Sequence, residues 1–326
     1  MAGRTEEPRL PQGRGDLSEA VIAYLRGSGP LPSPAMADDA PPYGDDLQLA
    51  LYVSYELHYR GFAGVDPARE WDPALLEVRA SLERRFETAL RSDAPPEEDL
   101  TETLDALLVE PVRGTGVSHF LQESGTLEQL RAYAVQRSLY HLKEADPHAW
   151  VLPRLSGRAK AGMAAVEYDE FGAGRAERVH ARLFADLMAD LGLETSYGHY
   201  VDEGHAEMLA LVNMMSLFGL HRRLRGALVG HFAAVEITSS PASRRLALAM
   251  KRAEAGPAAE HFYTEHVEAD AVHEQIVRHD VIRGLLDEEP HLAADVVLGI
   301  GATGFLEDRL GARLLAEWHR ASPVGA

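Results

Sequence analysis

The sequence contains no cysteine among its 326 residues. This absence excludes disulfide bonds, cysteine nucleophiles, thiolate zinc sites and iron–sulfur clusters. Basic residues are also scarce, since 32 Lys and Arg stand against 51 Asp and Glu, for a net charge of −19. A surface of that charge repels nucleic acid and anionic membranes. We therefore expect neither nucleic acid nor a membrane among the partners.

Long apolar runs are missing as well. No stretch approaches the ~18 apolar residues that a membrane-spanning helix needs, and the N-terminus lacks the apolar core of a signal peptide. The absence of cysteine fits a reducing compartment. We expect a cytoplasmic protein, and its 46% hydrophobic residues are enough for a sizeable core.

The apolar pattern predicts an all-α fold with three parts. Residues 1–43 are rich in Pro, Gly, Asp and Ala, which predicts a mostly disordered tail apart from a short apolar patch at 17–25. Residues 44–117 predict N-terminal accessory helices, and residues 118–326 predict a single helical bundle. No alternating run of β-branched residues indicates a strand.

Several helix limits follow from capping and breaking residues. Thr126 and Gln129 have the spacing of a capping box, so a helix should begin there and continue to about residue 144. Gly172 and Gly174 should interrupt the long helical region that follows. Further helices are predicted at 199–219, 221–237, 241–254, 257–288 and 291–319.

One motif near the C-terminal end suggests a metal site. His266, Asp270 and His273 have the spacing i, i+4 and i+7, which places all three side chains on one helical face. Two imidazoles and a carboxylate suit a transition metal such as iron, zinc or manganese. The alternative is a solvated polar stripe that contains two incidental histidines.

Two earlier helical segments carry further candidate ligands, namely Glu144 in the first and Glu170 and His180 in the second. A di-iron site in a helical bundle needs carboxylates that bridge the metals and histidines that cap them. Together the three segments resemble the heme-oxygenase-like di-iron oxidases and oxygenases, over roughly residues 118–320. The matching features are a Glu on the first core helix, Glu-aromatic-Gly-x-Gly followed by a His on the second, and His-x-x-x-Asp-x-x-His on the third.

The resemblance implies a heme-oxygenase-like bundle that binds two Fe2+ ions per chain and uses O2 as co-substrate. The implied ligands are Glu144, Glu170, His180, His266, Asp270 and His273. In the implied arrangement the two glutamates are shared, His180 and His273 serve one iron, and His266 and Asp270 serve the other. A peroxo-di-iron(III) intermediate would then oxidise a small molecule.

The histidine on the second core helix resembles that of the N-oxygenating branch, which implies N-oxygenation of an amine, amino acid or guanidine in specialised-metabolite biosynthesis. The alternatives are desaturation or C–C cleavage of an amino or fatty acid, and a non-catalytic iron-binding helical protein. The chain shows no flavin or ferredoxin-binding domain, so an external electron donor is expected. The family also implies a homodimer.

The spacing of the candidate ligands raises a difficulty. Ten residues of straight helix separate Glu170 from His180 by ~15 Å, whereas bridged metal ions lie only ~4 Å apart. A break at the intervening glycines would remove the problem. Glu177 is the competing ligand, because it forms Glu-x-x-His with His180; the resemblance favours Glu170. His266 and His273 are also ~10 Å apart along a helix, which predicts local unwinding between them.

Overall fold

The computed structural model describes residues 7–94, 99–110 and 114–321, apart from the side chains of Glu268, Asp270, Ala271 and Ala321. Every regular element within these ranges is helical, and they contain no strand. The all-α prediction is therefore confirmed. A search of the same residues for membrane-spanning segments finds no helix with both the length and the apolar character required.

The helices are numbered in chain order. The N-terminal part contains α1 (Asp16–Leu25), α2 (Met36–Asp39), α3 (Asp45–Glu56), α4 (Pro73–Asp93) and α5 (Leu100–Leu107). The remainder contains α6 (Val117–Glu123), α7 (Leu127–His141), α8 (Asp146–Ala149), α9 (Gly157–Glu170), α10 (His180–Asp190), α11 (Ala206–Leu220), α12 (Arg225–Arg252), α13 (Pro257–Ile276), α14 (Arg283–Glu288) and α15 (Ala293–Ala321). A π-helical segment, Val277–Ile282, joins α13 to α14.

Within residues 7–43 the structure has a helix, α1, at the apolar patch that the sequence analysis set apart from the predicted disordered tail. It packs against α3 through the buried side chains of Leu17, Val21 and Ile22. Three apolar side chains on one helical face provide enough burial to order a short helix against a neighbour.

The N-terminal helices and the bundle share one hydrophobic core. Helix α3 packs against α11, and its last residue, Glu56, forms a fully buried ion pair with Lys143, at 2.8 Å from Nζ to Oε2. The Lys143 ammonium also lies 4.2 Å from the centre of the Tyr59 ring. The segment after α7 is therefore attached to the N-terminal helices by charge as well as by packing.

Helix α12 is the centre of the bundle and packs extensively against both α13 and α15. It runs without interruption through Pro241, so the predicted separation into helices at 221–237 and 241–254 was wrong. A proline inside a helix costs about 3 kcal/mol. Burial of Phe232 and Ile237 before it, and of Leu246 and Met250 after it, keeps both halves in line against their neighbours.

Glycines allow α12 and α15 to approach each other closely. A Cβ atom on Gly230 would collide with the backbone of Val296, and one on Gly299 would collide with the carbonyl of Ala227. The two helix backbones therefore touch without intervening side chains. This contact holds the cavity-lining faces of both helices at a fixed separation.

The helices that carry the candidate ligands have clear ends. Helix α7 begins with the predicted capping box of Thr126 and Gln129 and ends at His141, three residues before Glu144. Helix α13 remains α-helical through both His266 and His273. The predicted unwinding between these histidines was therefore wrong, because the two side chains face different groups of ligands and need not converge on one point.

Candidate metal centre

Four of the predicted ligands meet in the interior of the bundle. The ligand atoms of Glu144, Glu170, His180 and His266 all lie within 4.8 Å of one another, and all four residues are buried. The rings of His180 and His266 have centres 4.5 Å apart. The four side chains come from the segment after α7, the end of α9, the start of α10 and the middle of α13.

A second group adjoins the first and consists of Glu170, Glu236 and His273. Nδ1 of His273 lies 3.0 Å from Oε2 of Glu236 and 3.6 Å from Oε1 of Glu170. On the other side of Glu170, Oε2 lies 2.7 Å from Nδ1 of His180. The two oxygens of this one carboxylate therefore face two different histidines.

A tight loop brings Glu170 and His180 together. Helix α9 ends at Glu170, and Gly172, Ala173 and Gly174 all adopt positive φ angles of 75°, 52° and 78°. The chain reverses so closely that a Cβ atom on Gly172 would lie 2.7 Å from the backbone carbon of Arg178. The expected break at the glycines is thus present.

Glu177, the competing candidate, lies on this loop and is exposed to solvent. It belongs to neither group of buried ligand atoms. Its Glu-x-x-His spacing with His180 would bring the two side chains together only on a continuous helix, and residues 176–178 form a separate 3-10 turn that precedes α10. The geometry favours Glu170 over Glu177.

The orientation of His266 is suited to metal binding. Its Nδ1 lies 2.8 Å from the backbone carbonyl oxygen of Phe262, and because a carbonyl only accepts, Nδ1 carries the proton. In the neutral ring Nε2 is then the lone-pair nitrogen, and it faces Oε1 of Glu144 at 3.9 Å. Metal-binding histidines commonly donate their second N–H to a carbonyl in this way.

The grouping of the histidines differs from the arrangement implied by the resemblance. There, His180 and His273 share one iron and His266 serves the other, whereas the structure groups His180 with His266 and places His273 with Glu236. The side chain of Asp270 lies outside the described residues.

Glu236 is the site residue that sequence reasoning missed. It belongs to no recognisable motif, but it follows the apolar run Phe232-Ala233-Ala234-Val235 and precedes Ile237. A carboxylate within such a run is rarely buried unless it is paired or binds a metal. A single carboxylate within an apolar run was therefore the sequence signal that could have identified Glu236.

Neighbouring groups control the ionisation of the site. Burial would raise the pKa of the Glu144 carboxyl, but the imidazoles of His141 and His266 hold that pKa well below its usual range. Nδ1 of His141 lies 2.9 Å from Oε2 of Glu144. Conversely, burial and the nearby carboxylates of Glu170 and Glu236 raise the pKa of Glu167 well above its usual range. These shifts favour the ionised form of Glu144 and the neutral form of Glu167.

These residues fit a metal of the iron type. Nδ1 of His180 is buried and makes no hydrogen bond to the described residues, although it lies 2.7 Å from Oε2 of Glu170. Two ligands of one octahedral ion lie ~3 Å apart without bonding to each other. Imidazole nitrogens together with carboxylate oxygens form the donor set typical of non-heme iron.

Two cavities flank the ligands. The larger, of about 420 Å3, reaches Glu144, Glu170, Glu236 and His266 and is lined mainly by apolar side chains. The smaller, of about 300 Å3, lies beside His180, between Asp169 and Glu265. The larger one has the size and lining of a small-molecule site.

A comparison with protein families also supports a metal of the iron type. A family model described as an iron-containing redox enzyme matches residues 131–307, which is more than half of the chain. The chain belongs to this family of iron-containing redox enzymes. The heme-oxygenase-like fold and family predicted from the sequence are thereby confirmed. No curated protein sequence matches the chain.

Family membership indicates an iron-dependent oxidoreductase. The matched region contains every residue of the two ligand groups, from Glu144 to His273. The N-terminal helices α1 to α6 precede it. This chain therefore has a buried set of candidate ligands for the iron that the family description names.

Proposed function

We propose that this protein is a non-heme di-iron enzyme that uses O2 to oxidise a small molecule, and that the reaction is N-oxygenation of an amine, amino acid or guanidine. One observation carries the proposal, namely that the two oxygens of Glu170 face two different groups of buried ligands. A carboxylate so placed is suited to bridge two metal ions ~4 Å apart.

The residues of the chain would divide into two ligand sets. Glu144, His180 and His266 would hold one ion, Glu236 and His273 would hold the other, and Glu170 would lie between them. Asp270 remains a proposed ligand on sequence grounds alone. Two bound irons would supply the reducing electrons and the open coordination positions that O2 chemistry needs.

The protein itself would bind the substrate and exclude water. The apolar walls of the larger cavity adjoin both ligand sets, so a molecule bound there would lie beside the metal ions with little water around it. N-oxygenation is proposed because His180, the residue typical of the N-oxygenating branch, is buried among the ligands. We further propose that the electrons come from an external donor.

The test is to mix anaerobically prepared Fe(II) protein rapidly with O2 and to analyse the products. We expect a transient visible absorption band that decays faster with the correct amine, amino acid or guanidine, and a product that has gained oxygen on nitrogen. An alkene or aldehyde product would contradict N-oxygenation but would still be consistent with activation of O2. Iron that binds but never reacts with O2 would leave a non-catalytic iron-binding protein.

A further inference from the structure

The wall of the larger cavity has a charged part that belongs to neither ligand group, and this part is called its charged end. There the Arg137 guanidinium donates two parallel hydrogen bonds to the Glu307 carboxylate, at 2.7 Å and 2.6 Å. Nε of Arg137 also donates to the Tyr133 hydroxyl at 3.1 Å. Helices α7 and α15 thus contribute an ion pair to a cavity whose other walls are mainly apolar.

This charged end keeps unused hydrogen-bonding capacity. A guanidinium has five N–H donors, and the three bonds just described leave two of them. Tyr263 lines the same cavity, and its buried hydroxyl has no hydrogen-bond partner among the described residues. Burial raises the pKa of Tyr263, with Tyr133 adding to the rise and Arg137 opposing it, so this hydroxyl stays protonated and able to donate.

Helix α7 relates Arg137 to His141, which lies beside the ligand Glu144. Arg137 precedes His141 by one turn, or ~6 Å of axial rise, and the His141 ring contacts Glu144. The apolar part of the cavity wall includes Met215, Phe262 and Ile300. A ligand that touches both ends therefore needs polar atoms at one end and a spacer of several apolar atoms.

We propose that this end binds the α-amino and α-carboxylate groups of an amino acid, whose unbranched side chain extends to the metal centre. The proposal rests on the function proposed above. The substrate carboxylate accepts from the remaining N–H groups of Arg137 and from the Tyr263 hydroxyl. The substrate ammonium donates to Glu307. The apolar walls contact the methylene groups of the side chain.

The ion pair is accessible to such a ligand. The side chains of Arg137 and Glu307 keep 18% and 38% of their surface exposed. A pair that served only to join α7 to α15 would give little stability and would not account for the unpartnered Tyr263 hydroxyl beside it. A zwitterion is complementary to both charges at once.

The test measures binding calorimetrically and without oxygen, with metal-free and Fe(II)-loaded protein. The probes are L-lysine, L-arginine and L-norleucine, together with 1,5-diaminopentane, which lacks the carboxylate of lysine, and 6-aminohexanoate, which lacks its α-amine. We expect L-lysine to bind, and 1,5-diaminopentane and 6-aminohexanoate to bind about 10-fold or more weakly than L-lysine. Equal affinity of L-lysine and its truncated forms, or no binding of any amino acid, would overturn the proposal.

Two variants assign the contacts. Glu307→Gln should weaken L-lysine about 10-fold and leave 6-aminohexanoate unchanged, and Arg137→Gln should weaken L-lysine and leave 1,5-diaminopentane unchanged. Arg137→Lys preserves the charge if the glutamine variant fails to fold, and Arg131→Gln on the same helix is the control. Equal weakening of every probe would contradict the assignment. Iron binding is scored separately, so failure here does not depend on the di-iron proposal.

Discussion

Glu170 is the residue on which the proposed centre depends. It ends a helix, it is buried, and its two oxygens face His180 and His273 on opposite sides. The remaining ligands contact only one side each. Substitution of Glu170 should therefore weaken the binding of both metal ions, whereas substitution of any other ligand should weaken the binding of only one.

Glu236 should affect only one ion. We expect Glu236→Gln to weaken one of two Fe(II)-binding events about 10- to 100-fold and to leave the other unchanged, because Glu236 contacts His273 and lies in the second group alone. Anaerobic calorimetric titration measures both events. Glu177→Gln, on the exposed loop, is the control. Loss of both events, or of neither, would contradict the two-group arrangement.

His148 and His231 form a buried pair outside the two ligand groups. Their rings lie 5.2 Å apart, and both residues are buried. Burial lowers the pKa of His148 to about 4, and burial together with His148 lowers the pKa of His231 well below its usual range. Both rings are therefore neutral in the folded protein near neutral pH.

This pair should make the fold sensitive to mild acid. The unfolded chain takes up a proton near pH 6.5 and the folded His148 only near pH 4, so stability is complete above about pH 6.5 and declines as the pH falls toward 4. His148 alone accounts for on the order of 3 kcal/mol of that loss. Urea unfolding at pH 7.5 and pH 4.5 measures it.

The matched variant is His148→Phe, which should lose less stability than the natural protein between these two pH values. His319→Gln, an exposed histidine on α15, should leave the pH dependence unchanged. If His148→Phe retains the full pH dependence, His148 is not the group that titrates.

At the scale of elements, the loop between α9 and α10 decides whether the centre forms. It replaces the ~15 Å that a straight helix would impose with a 2.7 Å contact between Glu170 and His180. Gly172 lies where this loop touches its own backbone. Gly174 also has a positive φ, but a Cβ atom there would meet only the Tyr168 ring, at 3.7 Å or more.

These two glycines give a matched pair of variants. Gly172→Ala should weaken Fe(II) binding about 10-fold or more, because the new methyl group collides with the backbone next to His180 and displaces that ligand. Gly174→Ala should cost only the ~1 kcal/mol of backbone strain and keep the affinity. Titration with Fe(II) and urea unfolding separate the two effects. Equal affinity of both variants would contradict this role of the loop.

Some features of the structure could be predicted from the sequence and others could not. The sequence predicts the all-α fold, the capping box and the glycine break because each depends on local chemistry. It does not predict Glu236, the pairing of His180 with His266, or the continuity of α12 through Pro241. Those depend on how helices rotate and pack against one another, and a single sequence carries no direct signal for that.

At the scale of the whole molecule, the N-terminal helices belong to the same core as the family region. Glu56 lies outside residues 131–307 and Lys143 lies inside them, yet the two form a fully buried ion pair. The Tyr197 hydroxyl also donates to Glu56. Because Lys143 adjoins Glu144, this pair connects the N-terminal part to the first candidate ligand.

Removal of the Lys143 charge should destabilise the folded protein. We expect Lys143→Met to lower the free energy of unfolding by about 3–5 kcal/mol, since it leaves the Glu56 carboxylate buried without its cation. The double variant Glu56→Gln, Lys143→Met should recover part of the loss. Urea unfolding measures both. A single variant as stable as the natural protein would contradict a structural role for the pair.

The measurement that tests the central claim most directly is an anaerobic Fe(II) titration of the metal-free protein beside its Glu170→Ala variant. The account predicts two Fe(II) ions per chain for the natural protein, and weakened binding of both ions in Glu170→Ala, with Glu177→Ala unchanged. A single ion per chain, or two ions that Glu170→Ala still binds at full affinity, would contradict a centre bridged by Glu170.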